Sequence, residues 1–415
     1  MAVYRLQVLE VASEVTFAST ASDPSTITTW GDYRLPAEDI VLNFSQERIP
    51  DVAVQARQNV RGLSHIGLRT ATLEFTTNWP GHNTDPGTGS LTERWPVTLL
   101  GYALGGKRTA GAGSTISGTA SGVQSVSLAS AAGFSAGDVC AIGTKGDGRG
   151  DGQVLAIATV SATDGTLSLL TDAPAAPTTA GDTVSRLALV FWDETATLKT
   201  VRFRAEHAGT GEQFLAHGCQ LSGIKITWPM DGGLPKARWT YQCAYWNRQA
   251  FTFPPSSTME SAFATPPAAG SLYLQDSGTT TRVTKTPASV ELDFDLGLEP
   301  TIGPGGVATF QNITGWVRTR FSPRIALQIP FETARETAWD VANQSYTYEH
   351  MLWCSNATGG RRTGFYAPRL FYEGTRPSVP VAVNEQTYIN VMFRATEGAT
   401  TTTELTRSAL RLFAG

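Results

Sequence analysis

Polar and apolar residues alternate through much of this chain, the two-residue period of a β-strand with one buried face. The pattern is plain in VLNFSQ at 41–46, TATLEF at 70–75, VELDFDL at 290–296 and RIALQI at 324–329. In VELDFDL, Val290, Leu292, Phe294 and Leu296 fall on one face and Glu291, Asp293 and Asp295 on the other. The apolar face belongs in a core, so the carboxylates face water. LALVFW at 187–192, the longest apolar run, reads as a buried strand. Two segments predict helices instead. WPVTLLGYAL at 95–104 has Pro96 where a first turn tolerates it and Gly105 where a helix stops. Thr333 and Glu336 have capping-box spacing ahead of Ala334, Ala338 and Val341, which share a helical face.

The strand pattern occurs twice, in the same order. LNFSQERIP at 42–50 matches LDFDLGLEP at 292–300, an offset of 250. QNVRG at 58–62 matches QNITG at 311–315 at 253, and GGKRTA at 105–110 matches GGRRTG at 359–364 at 254. An ordered series with a drift of a few residues is what a duplicated domain with small loop insertions produces. After GGRRTG the second copy proceeds to closing strands such as YINVMF at 388–393, whereas in the first the counterpart, RWTYQCAYW at 238–246, comes far later. The intervening stretch, about 111–185, is rich in Ala, Gly, Ser and Thr. It alternates at Val126 and Leu128 and at Leu167 and Leu169, with Asp164-Gly165 as a hairpin signal between them. It predicts a small self-contained β-barrel or sandwich, inserted in a loop and projecting from the body.

Composition narrows the function. Apolar residues are 41%, charged residues 16%, with 41 Gly and 22 Pro, which suits many short strands joined by turns. A net charge of −4 without a basic run offers no footprint for gripping a phosphate backbone. Arg5 and Glu10 interrupt what a signal peptide would need, and no later run reaches the length of a membrane span. The cysteines at 140, 219, 243 and 354 lack CxxC spacing and read as buried thiols, which makes the sequons at Asn43, Asn312, Asn343 and Asn356 accidental. GFSAG at 133–137 fits the G-x-S-x-G string of a hydrolase elbow, but β-prone DVCAIGT follows where that turn needs a helix. The five histidines do not cluster at metal-ligand spacing, and GDGRGDG at 146–152 does not fit an EF-hand loop. The chain therefore reads as a non-enzyme without cofactor or metal.

The order of elements carries a resemblance. A strand pair leads to a helix with LL before GG. An Ala/Gly/Ser/Thr-rich insert with a GFSAGD turn follows, and then GCQLSGIKITWPMDGGLPKARWTYQ; GFYAPRLFY at 364–372 and YINVMFRAT at 388–396 close the second copy. This resembles the tail tube proteins of long-tailed bacteriophages across nearly the whole chain. The resemblance implies a mainly β protein with two tandem tube-type β-sandwich domains, each with a flanking α-helix. These would be 1–110 with 186–255, and 256–415, with the inserted domain at 111–185. It also implies sheets joined into rings, and rings stacked into the conduit for DNA ejection. The protein would be made in the host cytoplasm and built into the virion tail, meeting other tail proteins at the tube ends and passing DNA without binding it specifically. The usual member has one domain and forms hexameric rings. Two domains per chain make a ring of three chains the expectation, with six as the alternative. Glu291, Asp293 and Asp295, with Asp39 and Asn43 in the matching strand DIVLNFS at 39–45, would then face the lumen, the carboxylates repelling phosphates near the wall. The rival from another class is a phage or bacterial adhesin or carbohydrate-binding sandwich, with Trp228, Trp239, Tyr241, Tyr245 and Trp246 as its sugar-stacking patch.

Overall fold

The computed structural model describes residues 6–14, 33–35, 37–50, 64–79, 95–111, 113–117, 125–143, 154–161, 165–169, 183–207, 212–229, 233–250, 270–276, 282–285, 287–303, 313–330, 349–355, 363–373, 381–383, 386–397 and 403–414. They form a mainly β protein of antiparallel sheets. The segment expected to be the second flanking helix, around Thr333, Glu336, Ala338 and Val341, lies outside the described residues, as do 58–62 and 146–152.

The largest sheet has twelve strands and forks at one of them, Glu212–Pro229. That strand pairs along its length with Lys236–Ala250. On its other side it changes partner: Gln213–Cys219 pairs with Val201–His207, and Gly223–Pro229 with Ser289–Asp295. Gly218, at φ +59°, and a register shift between Leu221 and Gly223 mark the handover. One branch runs through Val201–His207 to Leu6–Ser13 and Tyr33–Leu35. The long path runs from the edge strand Ala37–Pro50 through Ser64–Asn78, Lys236–Ala250, Glu212–Pro229, Ser289–Asp295 and Ser322–Pro330 to Gln386–Ala395. Leu370–Tyr372 and Val381–Val383 share its far edge.

A seven-stranded sheet and the helix Trp95–Leu104 cover the inner face of this path. The core between them is continuous from Leu73 and Phe75 to Leu292, Phe294 and Ile325, and includes Trp228, Trp239 and Trp353, all fully buried. The helix contributes Leu99, Leu100, Ala103 and Leu104. It ends at Gly105, where φ is +89° and a Cβ would stand 2.7 Å from that of Ala196, so only glycine turns the chain there.

The stretches VLNFSQ and VELDFDL begin two long hairpins of matching register. Leu42 opposes Leu73, Phe44 opposes Ala71, and Pro50 opposes Ser64. In the second hairpin Leu292 opposes Ile325, Phe294 opposes Pro323, and Pro300 opposes Trp316. Every first member is displaced by 250 residues and every second by 252. The outer parts of the second hairpin, Leu298–Ile302 and Ile313–Arg318, leave the large sheet as a two-stranded arm.

All six strands of the remaining sheet lie within 114–186. One of its faces closes over Val126, Leu128, Cys140, Ile142, Leu155 and Ile157. The other face, through Val139, Ala141, Val154 and Ala156, packs on Leu189, Phe191, Leu352, Tyr366, Leu405 and Phe413. The stretch expected to project as a self-contained module is therefore docked through a second apolar face. Alternation buries both faces of Val139–Gly143, and excision would uncover the residues beneath it.

Candidate functional site

Both hairpins contribute strands to the outer face of the long path. Directly opposed residues in an antiparallel sheet share a face, and here they form a continuous row: Glu38, Thr76, Arg238, Lys225, Asp293, Arg324, Arg394. Asp293 and Asp295 are exposed and Glu291 half-buried, while Val290, Leu292, Phe294 and Leu296 are buried. The strand thus presents its carboxylates to solvent as its alternation demands.

The electrostatics differ from the acidic row expected from VELDFDL alone. Lys225 Nζ lies 2.7 Å from Glu291 Oε1, Arg320 pairs with Asp295, and Asp293 stands between Lys225 and Arg324 in the register. Flanking strands repeat the arrangement: Lys236 with Glu38 at 2.8 Å, Arg238 with Glu74 at 2.6 Å, and Glu373 shared by Arg324 and Arg394. Among the described residues the cations and carboxylates named here are equal in number, so they form a charge-balanced lattice and not a negative wall. The counterions come from strands distant in sequence. Exposed pairs of this kind contribute roughly 0–1 kcal/mol each, so the lattice sets surface character more than stability. Burial pushes the Asp293 carboxyl up, with Lys225 and Arg324 opposing and Glu291 and Asp295 adding to the rise. Burial acts on Asp295 in the same sense but is outweighed by the Gly297 amide and Arg320, which hold it below the usual aspartate value. Gly223, Lys225, Arg238, Asp293 and Asp295 border a shallow groove of about 470 Å³ on this face.

Of the first-hairpin candidates, Asn43 is exposed and opposes Thr72 on the same outer face. Asp39 is exposed, but its φ of +50° places it in a bulge where the register shifts between Glu38 and Val41. It sits at the irregularity instead of in the pleat. Among the described residues this strand pairs only with Ser64–Asn78 and ends the sheet. Val41 and Phe44 are exposed along it, Phe44 stacking on Trp246 at 3.9 Å.

The second hairpin is anchored to the body by named contacts. Its strand Ser289–Asp295 has neighbours on both sides, and its arm folds back on residues that precede it. Trp316 Nε1 donates to the Gly218 carbonyl at 2.7 Å. Arg318 donates to the carbonyls of Ala103 and Leu104 at 3.1 and 2.9 Å and of Asp193 at 2.8 Å, with its guanidinium 4.0 Å from the centre of the Trp192 ring. A guanidinium suits the helix end, where unsatisfied carbonyls gather partial negative charge. Nothing in the local sequence around Arg318 signals this role. A cleft of about 500 Å³ beside the joint is bordered by Trp192, Trp316 and Phe321, with Trp192 and Phe321 stacked at 4.9 Å.

The remaining motifs have structural surroundings. Ser135 accepts from Arg108 at 2.8 Å, and its amide donates to Asp138 Oδ2 at 2.7 Å. The turn leads into the strand Val139–Gly143 of an antiparallel sheet, not into a helix. Asp138 is buried and ion-paired with Arg108 at 2.6 Å. Among the described residues no group of three or more His, Cys, Asp or Glu side chains could hold a metal ion, and no helix is long and apolar enough to cross a membrane. Trp228, Trp239 and Tyr241, the centre of the sugar-stacking patch, are at most 2% exposed, and Tyr245 and Trp246 are half-buried. No family model matches this chain, and no curated protein matches it.

Proposed function

We propose that this chain is a structural protein of a long-tailed bacteriophage virion. In this reading 1–110 with 186–255 and 256–415 are tandem copies of one tube domain, and 111–185 is an insertion in the first. Three chains close into a ring, and rings stack into the tube through which DNA is ejected, with other tail proteins at its ends. The observation that carries this reading is the joint inside the chain. Gly223–Pro229 of the first copy pairs edge to edge with the hairpin strand Ser289–Asp295 of the second. Among the described residues the same hairpin strand in the first copy, Ala37–Pro50, ends the sheet, as do Leu370–Tyr372 and Val381–Val383 at the opposite extreme. Repeating the internal joint between chains pairs these two edges, and closure removes both. Each copy supplies four strand positions to the path, so three chains supply six equivalent units.

The seven-stranded sheet and the insert lie on the covered side, which turns the charge-balanced face toward the bore. A lattice in which every cation is near a carboxylate gives passing phosphates no fixed charge to hold. The chemistry needs no cofactor and no catalytic group. The burial of Trp228, Trp239 and Tyr241 disfavours the adhesin reading, because rings in a core stack on no sugar. Electron microscopy of the purified protein with native mass spectrometry tests both readings. Rings or tubes with three chains per ring are expected. Six chains per ring would overturn the stoichiometry, and discrete particles with glycan affinity would overturn the assembly itself.

A further inference from the structure

Cys219 and Cys243 stand directly opposite one another on the paired strands Glu212–Pro229 and Lys236–Ala250. Opposed residues of an antiparallel pair have Cα atoms about 4.5–5.5 Å apart, inside the span of about 4.4–6.8 Å that a disulfide bridges. Both side chains are wholly buried. Neither strand is an edge at this point: Cys219 also opposes Val201, and Cys243 also opposes Ala71. The backbone therefore keeps the two sulfurs together. The other cysteines lack this arrangement, since Cys140 opposes Leu155 and Arg186, and Cys354 opposes Ser271 and Gly364.

We propose that Cys219 and Cys243 are an oxidation site, at which a hydroperoxide converts the thiol pair into a cross-strand disulfide. One sulfur, as thiolate, attacks a peroxide oxygen. The O–O bond breaks, the released hydroxide takes up the thiol proton as water, and a sulfenic acid remains. The second thiol sulfur then displaces the sulfenic hydroxyl, which leaves as water with the second thiol proton. Two thiols are oxidised to one disulfide and one hydrogen peroxide is reduced to two waters. Hydrogen peroxide is small enough to enter a core through brief openings, whereas a mixed disulfide with a bulky thiol has no room there. The bond staples the strand at which the sheet forks to its neighbour. Burial, followed by contact with Cys243 and the charge of Glu14, pushes the Cys219 thiol up, so the reaction is slow and follows opening of the sheet.

The intact protein is incubated with hydrogen peroxide until Met392, an exposed methionine, is fully converted to the sulfoxide. It is then denatured, alkylated with N-ethylmaleimide and digested with trypsin without reduction. Two of the four thiols should resist alkylation, and peptide 205–225 should be linked to peptide 239–248. Four alkylated thiols, a link involving Cys140 or Cys354, or separate sulfinic acids at Cys219 and Cys243 would each overturn the proposal. Cys243→Ser should form no link and should instead accumulate a dimedone-reactive sulfenic acid at Cys219. The wild-type measurement stands alone if that variant does not fold.

Discussion

The two long hairpins share register, length and alternation, yet one is an edge and the other an interior. In Ser289–Asp295, Val290, Leu292 and Phe294 are at most 1% exposed, because strands flank them on both sides. In Ala37–Pro50 the matched strand has one neighbour among the described residues, leaves Val41 and Phe44 exposed, and carries a bulge at Asp39. A non-glycine residue at positive φ costs of order 1 kcal/mol, and bulges and edge charges such as Glu38 discourage indiscriminate pairing. The same local pattern thus yields a satisfied strand or a waiting one, and the neighbour alone decides which.

The sharpest way to break the comparison is to block the waiting edge. Successive residues of a strand point their N–H groups in opposite directions, so either Asn43 or Phe44 directs its amide away from Ser64–Asn78. Of Asn43→Pro and Phe44→Pro, the one on the outward amide should leave a folded chain, by circular dichroism, that forms no rings in sedimentation. Rings at wild-type yield from both variants would show that this edge joins nothing.

Next in size is the anchor of the second hairpin. Arg318→Ala removes three hydrogen bonds to main-chain carbonyls and the stacking on Trp192. It should lower stability by roughly 2–4 kcal/mol in denaturant titration, with Arg318→Lys intermediate. The matched register position in the first hairpin is Ile66, which has no comparable donor. An unchanged midpoint for the alanine variant would reduce the difference between the hairpins to their edges.

The charged face gives a smaller effect, and one visible only in particles. Replacing Glu291, Asp293 and Asp295 together by lysine removes the partners of Lys225 and Arg320 and adds fixed positive charge. Assembly should persist, while DNA release slows by roughly tenfold at low salt and recovers as salt rises. Normal ejection would place this face away from the channel.

The smallest effect separates two neighbours on one strand. Asp293 should titrate above, and Asp295 below, the usual aspartate value in carbon-detected NMR. A raised folded value means that the contribution of Asp293 to stability is full below the unfolded pKa and is lost as pH rises through the folded one. A depressed value means that the contribution of Asp295 is present above the unfolded pKa and is lost as pH falls through its folded one. At neutral pH, Asp293→Asn should therefore stabilise slightly and Asp295→Asn destabilise slightly. The opposite order would mean that Lys225 and Arg324, not burial, govern Asp293.

Some of this was legible in the chain. The alternation of Val290, Leu292 and Phe294 against Glu291, Asp293 and Asp295 is local and survives folding, and so does the helix ending at Gly105. The ordered offsets that begin at Leu42 and Leu292 reappear as matched pairs in both hairpins. The counterions were not legible, because Lys225, Arg320 and Arg324 reach the carboxylates only through pairing and a turn. Nor was the second face of the insert, since Val139 and Ala141 read as one side of an ordinary strand until Leu405 and Phe413 close over them.

By itself, then, the sequence determined which side of each strand is apolar and that the strand pattern recurs, because both are properties of spacing along the chain. Only the tertiary structure decided that the carboxylates lie in a neutral lattice, that Trp239 and Tyr241 are core, and that Arg318 closes the helix at Leu104. Charge balance, burial and carbonyl satisfaction depend on partners tens to hundreds of residues away, and no local period encodes which strand will be the neighbour.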